Sequence, residues 1–514
     1  MEKDTHSVVV GDASSSSSPS PTTVSQSKHA GMDSALAYIQ NAGSNGDEAT
    51  GASDKSLLRK IDWRIVPIMF ACYTMQFVDK VLINYAAVMG LPKDLKLVGN
   101  QFTWAATSFF IAYLVAEIPT GYFLQRVPAA KYLAINVALW GVATGCTAAC
   151  KSFTGLLVAR IFLGIFEAAI APCLTIITSM WYTKKEQPAR FGFWYCGLGL
   201  GQIVGGIISY GFQHVKNASL EGWRVMFIVL GLVTVLIGVW TFFCLPDTPM
   251  SANFLEEREI VRVLERVSEN QTGVENKKFK MSQAVELAKD PQIYLMLMIT
   301  VLCSVSSGVI TTYSATLIKN FGYTSPIAAL LNMPSGIISI GVTILSGIAV
   351  GMSSNRWLWI AGLAVPGALG GALMSFLPNS NKGGLLAGIY LVNSIVAVLI
   401  IVFNWAASNI AGHTKRSIAT SLIAGAFSIG NIIGPQTFQA KDAPNFYPAK
   451  IAVLVTQAGA ALFAVLLRFY YSYQNSLKEK CSQELNEQTD DTISEEFKWG
   501  NMTDRENTRF RYVY

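Results

Sequence analysis

The sequence predicts an all-α membrane protein: twelve transmembrane helices arranged as two six-helix bundles. Composition is the first reason, since 51% of the 514 residues are hydrophobic and only 14% are charged, against about 25% charged in an average soluble domain. The second is a set of roughly twelve long apolar segments, each close to the ~20 residues that carry a helix across a hydrocarbon core. The third is their order, six segments, a charged interval at 246–290, then six more. Closed β-barrels show weaker alternating segments of about ten residues, so the spans are helices. Two similar halves around a site at the membrane midplane favour a transporter over a channel or a membrane enzyme.

Residues 1–56 are polar, include the run Ser14–Ser18, and read as a disordered cytoplasmic tail without a cleavable signal peptide. The first bundle occupies 57–245, with spans near 65–87, 101–124, 132–149, 156–182, 191–213 and 224–245. Leu245-Pro246-Asp247-Thr248-Pro249 ends the sixth span, because neither proline donates a helical hydrogen bond. The interval 246–290 is a cytoplasmic loop. Within it Ile260, Leu264 and Val267 recur at helical spacing among Glu256, Glu257, Arg258, Arg262, Glu265 and Arg266, the pattern of an amphipathic helix packed on the bundle. The second bundle, 291–474, holds spans near 292–318, 327–351, 357–377, 384–409, 417–437 and 451–473, and 475–514 forms a second cytoplasmic tail.

Basic residues in the short loops tie between the two sides. The cluster Lys55, Arg59, Lys60 and Arg64 beside the first span, with the basic residues of the middle loop, breaks the tie and places both termini in the cytoplasm. That topology puts the glycosylation acceptor Asn217-Ala218-Ser219 outside and leaves the similar triplet at Asn270 inside. The eight cysteines show no paired spacing and read as small packing residues. A formal charge of +6 suits basic cytoplasmic loops and gives no support to nucleic-acid binding. His214 and His413 lie in loops, and no nucleophile–base set or metal-ligand spacing points to an enzyme or a metal site.

Charges inside the spans mark the candidate site. Arg160 and Glu167 lie within one span, and each ionised side chain there costs roughly 2.5–3.5 kcal/mol unless it faces a protein-lined cavity. Seven residues is close to two helical turns, which puts the pair on one face about 10 Å apart. Asp79 and Lys80 sit deep in span one and Glu117 in span two, while the last six spans carry only polar groups such as Asn332, Asn393, Asn404, Asn431 and Gln436. An arginine holds a carboxylate by paired hydrogen bonds, and a buried carboxylate can take and release a proton. The first half would thus handle charge and the second half would shape the pocket. The structural alternative stands beside each: Asp79 and Lys80 point about 100° apart and could tie span one to neighbouring helices, and Glu117, one turn above Pro119 and Gly121, reads as a gate or packing contact.

Small residues give a second signal. Gly197, Gly201 and Gly205 repeat every four residues, with Gly199 and Gly206 beside them, a spacing that lets helix backbones approach closely. Gly425, Gly430 and Gly434-Pro435 occupy the eleventh span, and Asn332-Met333-Pro334-Ser335-Gly336 reads as a local helix break in the eighth.

These residues resemble the major facilitator superfamily, and within it the fungal allantoate permease family of anion:cation symporters. Arg160-Ile161-Phe162-Leu163-Gly164 fits the fourth-span pattern, and GYFLQRVPAAK from Gly121 through Arg126 to Lys131 fits the loop between spans two and three, with Gln125 in place of the usual aspartate. The narrower resemblance covers nearly all of 57–475, through GIFEAAIAP at 164–172, TSMWYTKKEQPAR at 178–190, ENQTGVENKKFK at 269–280, LLNMPSG at 330–336, NKGGLLAG at 381–388, NIAGHTKRS at 409–417 and GNIIGP at 430–435.

The resemblance implies a monomeric carrier with the major facilitator fold in a fungal plasma membrane. It would take up a small organic anion, of the allantoate, ureidosuccinate or vitamin-carboxylate kind, by alternating access. A proton gradient would supply the coupling ion, with no cofactor. Arg160 would bind the substrate carboxylate or steer coupling. Asp79 and Glu167 are the candidates to carry the proton, and Lys80 would pair with one of them. Asn332, Asn404 and Asn431 would add polar contacts. Gln202 stands where antiporters of the superfamily often have proline, which favours symport. CSVSSGVITTY at 303–313 departs from the family's span-seven pattern and puts Ser304, Ser306 and Ser307 at pocket positions. Proton-antiport efflux of a secondary metabolite is the alternative, and a non-transporting nutrient sensor a remote one.

Overall fold

The structure, a computed structural model, describes residues 54–124, 126–183, 185–214, 220–268, 280–353, 355–486, 503–507 and 510–514. The first half comprises α1 (Asp54–Met89), α2 (Gln101–Phe123), α3 (Ala129–Thr147), α4 (Phe153–Trp181), α5 (Gln187–Gln213) and α6 (Gly222–Cys244). Two shorter helices follow, α7 (Glu257–Ser268) and α8 (Met281–Ala288). The second half comprises α9 (Pro291–Asn320), α10 (Ser325–Ile348), α11 (Arg356–Phe376), α12 (Lys382–Asn409), α13 (His413–Gln436) and α14 (Tyr447–Asn486). Eleven of these are long and apolar enough to cross a membrane. The twelfth crossing is α3, whose 19 residues include Lys131 and Asn136 among many alanines.

Local sequence sets the helix ends. Asp290 caps α9 by accepting from the Gln292 N–H, with Pro291 at the first helical position. Ser152 caps α4 and Asn381 caps α12 in the same way. After α6 the chain turns extended at Leu245, ahead of the two prolines. The break expected near Asn332 lies between Leu331 and Met333 of α10. α4 has a lapse of its own at Ala168-Ala169, directly after Glu167, and α12 tightens into a 3-10 turn at Asn393–Ala397.

The two halves repeat one packing scheme. α1 pairs with α5 and α3 with α6; in the second half α9 pairs with α13 and α11 with α14. The bundles meet through α5 on α10, α2 on α13 and α1 on α9. Large apolar side chains point outward along the spans, with Ile118 80% and Phe376 72% exposed. So much exposed apolar surface is what a lipid-facing belt requires.

The face on which α1 begins is called proximal below, and the opposite face distal. The central interval is divided between the bundles on the proximal face. α7 buries Ile260, Val263 and Leu264 and pairs Glu259 with Lys60 (2.6 Å) and Arg262 with Asp54 (3.1 Å), so it belongs to the first bundle. α8 belongs to the second, where Gln283 accepts from the N–H groups of Thr414 and Lys415. Residues 269–279, which carry part of the family-like sequence, lie outside the described residues, as do Asn217 and Gln125. Beyond the second bundle, α14 continues to Asn486, and residues 503–507 and 510–514 pack against the proximal ends of the second-bundle helices.

Candidate functional site

The buried charges of the first bundle converge. Asp79 and Lys80 are neighbours on α1 and serve different helices, as their 100° separation requires. Asp79, 2% exposed, accepts from the Thr144 hydroxyl of α3 at 2.8 Å. Lys80 places its Nζ 3.1 Å from Oε1 of the fully buried Glu167 on α4 and 5.3 Å from the centre of the Tyr113 ring. Lys80 therefore pairs with Glu167 and ties α1 to α4. Glu117, half-buried on α2, lies within electrostatic reach of the same ammonium.

Arg160 differs from all of these. It is 2% exposed, and its Nε and Nη2 are buried with no hydrogen-bond partner among the described residues. Asp79 contributes an attractive charge nearby, yet the two form no ion pair within 4 Å among the described residues. Oδ2 of Asp79 is likewise buried with no hydrogen-bond partner among the described residues. A guanidinium held this way has the fork of donors that suits a carboxylate, and an unmet buried donor costs about 1–3 kcal/mol or more.

The helices bring a second set of polar groups together at the junction of the bundles. Among the described residues nine hydrogen bonds cross between the bundles in the distal half. Asn84 of α1 donates to Ser314 of α9 at 2.8 Å and accepts from the Ala315 N–H at 3.0 Å. Thr103 of α2 meets the Tyr313 hydroxyl at 2.6 Å, and Tyr313 stacks on Phe438 at 4.1 Å. Gln436 donates to Thr107 at 2.8 Å. Elsewhere along the junction a single bond crosses among the described residues, Tyr195 to the Val396 carbonyl at 3.4 Å. The molecule is thus closed by polar contacts on its distal face.

The remaining polar candidates take the following places. Asn332 donates to Ser314 and Tyr85, so it belongs to the distal junction. Asn404 accepts from Arg356 Nε at 2.7 Å, close to the proximal ends of α12 and α11. Asn431 donates back to Phe427 of its own helix and packs on Gly308, while Ser304 packs on Gly430; both join α9 to α13. Ser307 is half-buried one turn further along α9. Arg126 lies over the Tyr122 ring at 4.3 Å, and a side chain at Gly121 would meet nothing within 4 Å.

The glycine repeat of α5 splits by face. Gly197, Gly201 and Gly205 press against Thr74, Val78 and Tyr85 of α1 inside the first bundle. Gly199 faces outward, and a Cβ there would collide with the Gly336 carbonyl of α10. Sequence reasoning missed Asn84, Ser314, Thr103 and Tyr313, whose polar groups find partners across the junction only when the bundles meet. It gave Gln202 only a family role; its amide is 2% exposed and both amide atoms lack a partner among the described residues.

Comparison with known proteins agrees with this architecture. A profile of the Major Facilitator Superfamily matches residues 69–435. The chain is 36% identical over 492 residues to the thiamine pathway transporter THI73 of Saccharomyces cerevisiae, spanning 95% of this chain and 92% of that one. It is 32% identical over 481 residues to the allantoate permease of the same yeast, spanning 91% and 88%. Among solved structures, a D-xylose–proton symporter superposes with a TM-score of 0.62 at 14% identity, covering 79% of this chain and 97% of that one. A bacterial homologue of the human lysosomal transporter Spinster, inward-facing and occupied, gives 0.58 at 16% identity, covering 79% and 96%. These likenesses to solved structures concern the fold alone.

Proposed function

Since the chain belongs to the Major Facilitator Superfamily, and within it to the fungal allantoate permease family, we propose that it carries a small organic anion into the cell together with protons. It is a multi-pass membrane transporter rather than an enzyme. The observation that carries the finer reading is Arg160, a buried guanidinium whose Nε and Nη2 have no protein partner among the described residues. A carboxylate would meet those donors in a bidentate pair, which an ammonium could not match. Likeness to a permease named for allantoate supports a substrate of that class.

Coupling belongs to the carboxylates beside it. Glu167 shares its charge with Lys80, and Asp79 leans on Thr144, so protonation of either would loosen a contact between α1 and a neighbour. Binding of substrate at Arg160 and of a proton at Glu167 or Asp79 would then act on one set of helices. Alternating access would follow from rocking of the bundles, with the distal hydrogen bonds breaking as that face opens. On the basic-residue reading the proximal face is cytoplasmic, and the plasma membrane is the expected location.

The test is Arg160→Lys. It keeps the charge and removes the fork, so uptake should fall to background while the protein still reaches the membrane. Normal uptake by that variant would remove Arg160 from the site.

A further inference from the structure

A second charged cluster lies away from the transport charges, at the proximal end of the second bundle. Lys415, the third residue of α13, is fully buried. Its Nζ donates to Glu286 at 2.9 Å, Asp290 at 2.8 Å and Asp504 at 2.7 Å. A buried ammonium in the first turn of a helix is costly twice over, being out of water and facing the positive end of the helix dipole. Three carboxylates offset that cost. Two are local, from α8 and from the cap of α9. The third arrives from residue 504, across a stretch, 487–502, outside the described residues.

Asp504 anchors a docked segment. Its carboxylate also accepts from Gln292 Nε2 at 3.0 Å and from the Tyr512 hydroxyl at 2.8 Å. Beyond it, two asparagines read the backbone as a neighbouring strand would. Asn475 exchanges two hydrogen bonds with the backbone of Tyr512 (2.8 and 2.9 Å), and Asn409 exchanges two with that of Val513, both 2.8 Å. The Trp405 indole donates to the Val513 carbonyl at 2.9 Å, and the Tyr512 ring, 4% exposed, stacks on Tyr471 at 5.1 Å. The bundle thus offers an ammonium for a carboxylate, an aromatic slot, and paired amides for extended backbone.

We propose that the proximal face of the second bundle is a peptide-binding site whose ligand is the chain's own residues 503–507 and 510–514, and that its occupancy stiffens the proximal ends of the helices so that this bundle moves as one body. The side-chain partners given above come from α8, α9, α12, α13 and α14, or from the residue between α8 and α9; α1–α6 supply none of them. The segment therefore fastens one bundle to itself and leaves the junction between bundles free, which makes it a stiffener rather than a brake on rocking.

Hydrogen exchange of the full-length protein in detergent tests this without any substrate, so its outcome is independent of the uptake reading. In the wild type the amides of Tyr512 and Val513 should exchange slowly. In a chain carrying Asp504→Asn with Tyr512→Ser they should exchange at least about tenfold faster. The proximal ends of α12, α13 and α14 should speed up with them, while α1–α6 stay unchanged. A synthetic 503–514 peptide added in excess should restore slow exchange at those ends, and a scrambled peptide should not. Fast exchange at Tyr512 and Val513 in the wild type, a measurement no variant's folding can confuse, would overturn the docking. Release with no change at the helix ends, or no rescue by the peptide, would overturn the stiffening.

Discussion

Glu167 and Lys80 show how a single charged residue is sustained inside a membrane span. Glu167 is fully buried and meets one ammonium; take that partner away and a lone charge remains. Breaking a buried pair from one side costs about 3 kcal/mol or more, whereas removing both charges costs far less. Glu167→Gln should therefore lower the thermal unfolding temperature of the purified protein markedly, and Lys80→Met added to it should recover most of the loss. Both variants should fail in uptake, because the double change restores stability and not coupling. Additive losses in the double variant would show that the pair does not act as a pair. At this scale the sequence was informative where residue type alone decides: ionised groups in an apolar run turn away from lipid, and Lys80 pairs with Glu167 while Asp79 and Arg160 are buried within the same bundle. Asn332 and Asn404 were not legible, because an amide tolerates a packing, gating or binding role, and the crossing helix decides which.

Helix α5 carries two glycine faces with different duties. The register 197, 201, 205 lets it lie on α1 within one bundle, and Gly199 lets it cross α10 of the other. A side chain at Gly199 meets backbone, which cannot yield as a flexible side chain does, and forcing extra bulk into such a contact costs about 1–3 kcal/mol. Gly199→Val should therefore abolish uptake without removing the protein from the membrane. Gly121→Ala should leave uptake near wild type, since a Cβ there meets nothing within 4 Å. Equal effects of the two, measured as uptake per surface protein, would place the crossing outside the transport cycle. The glycine period and the break at Asn332 could be read from the chain alone. Which helix each glycine touches could not, because a period of four fixes a stripe on one helix and says nothing of its neighbour.

For the whole molecule, hydrophobic run length and order dictated the two bundles, since each apolar helix must cross and a charged interval of this length separates the sixth from the seventh. The amphipathic pattern at 260–267 likewise foretold the docking of α7. Two global features escaped the sequence. The distal closure rests on polar residues scattered over helices far apart in the chain, and the docked residues 503–507 and 510–514 look like any polar tail until Lys415 is seen to meet a third carboxylate. Both arise from long-range contacts that no local pattern encodes. The most direct measurement of the central claim is uptake of labelled allantoate, ureidosuccinate, nicotinate, pantothenate and a dipeptide, with thiamine as a cationic control, in yeast lacking its own carriers. It should be run at acidic and neutral external pH, with and without a protonophore. Uptake of one anion that rises in acid and collapses with the protonophore is the predicted result; uptake indifferent to the proton gradient, preference for the cation, or no uptake by protein present at the surface would contradict proton-coupled anion import.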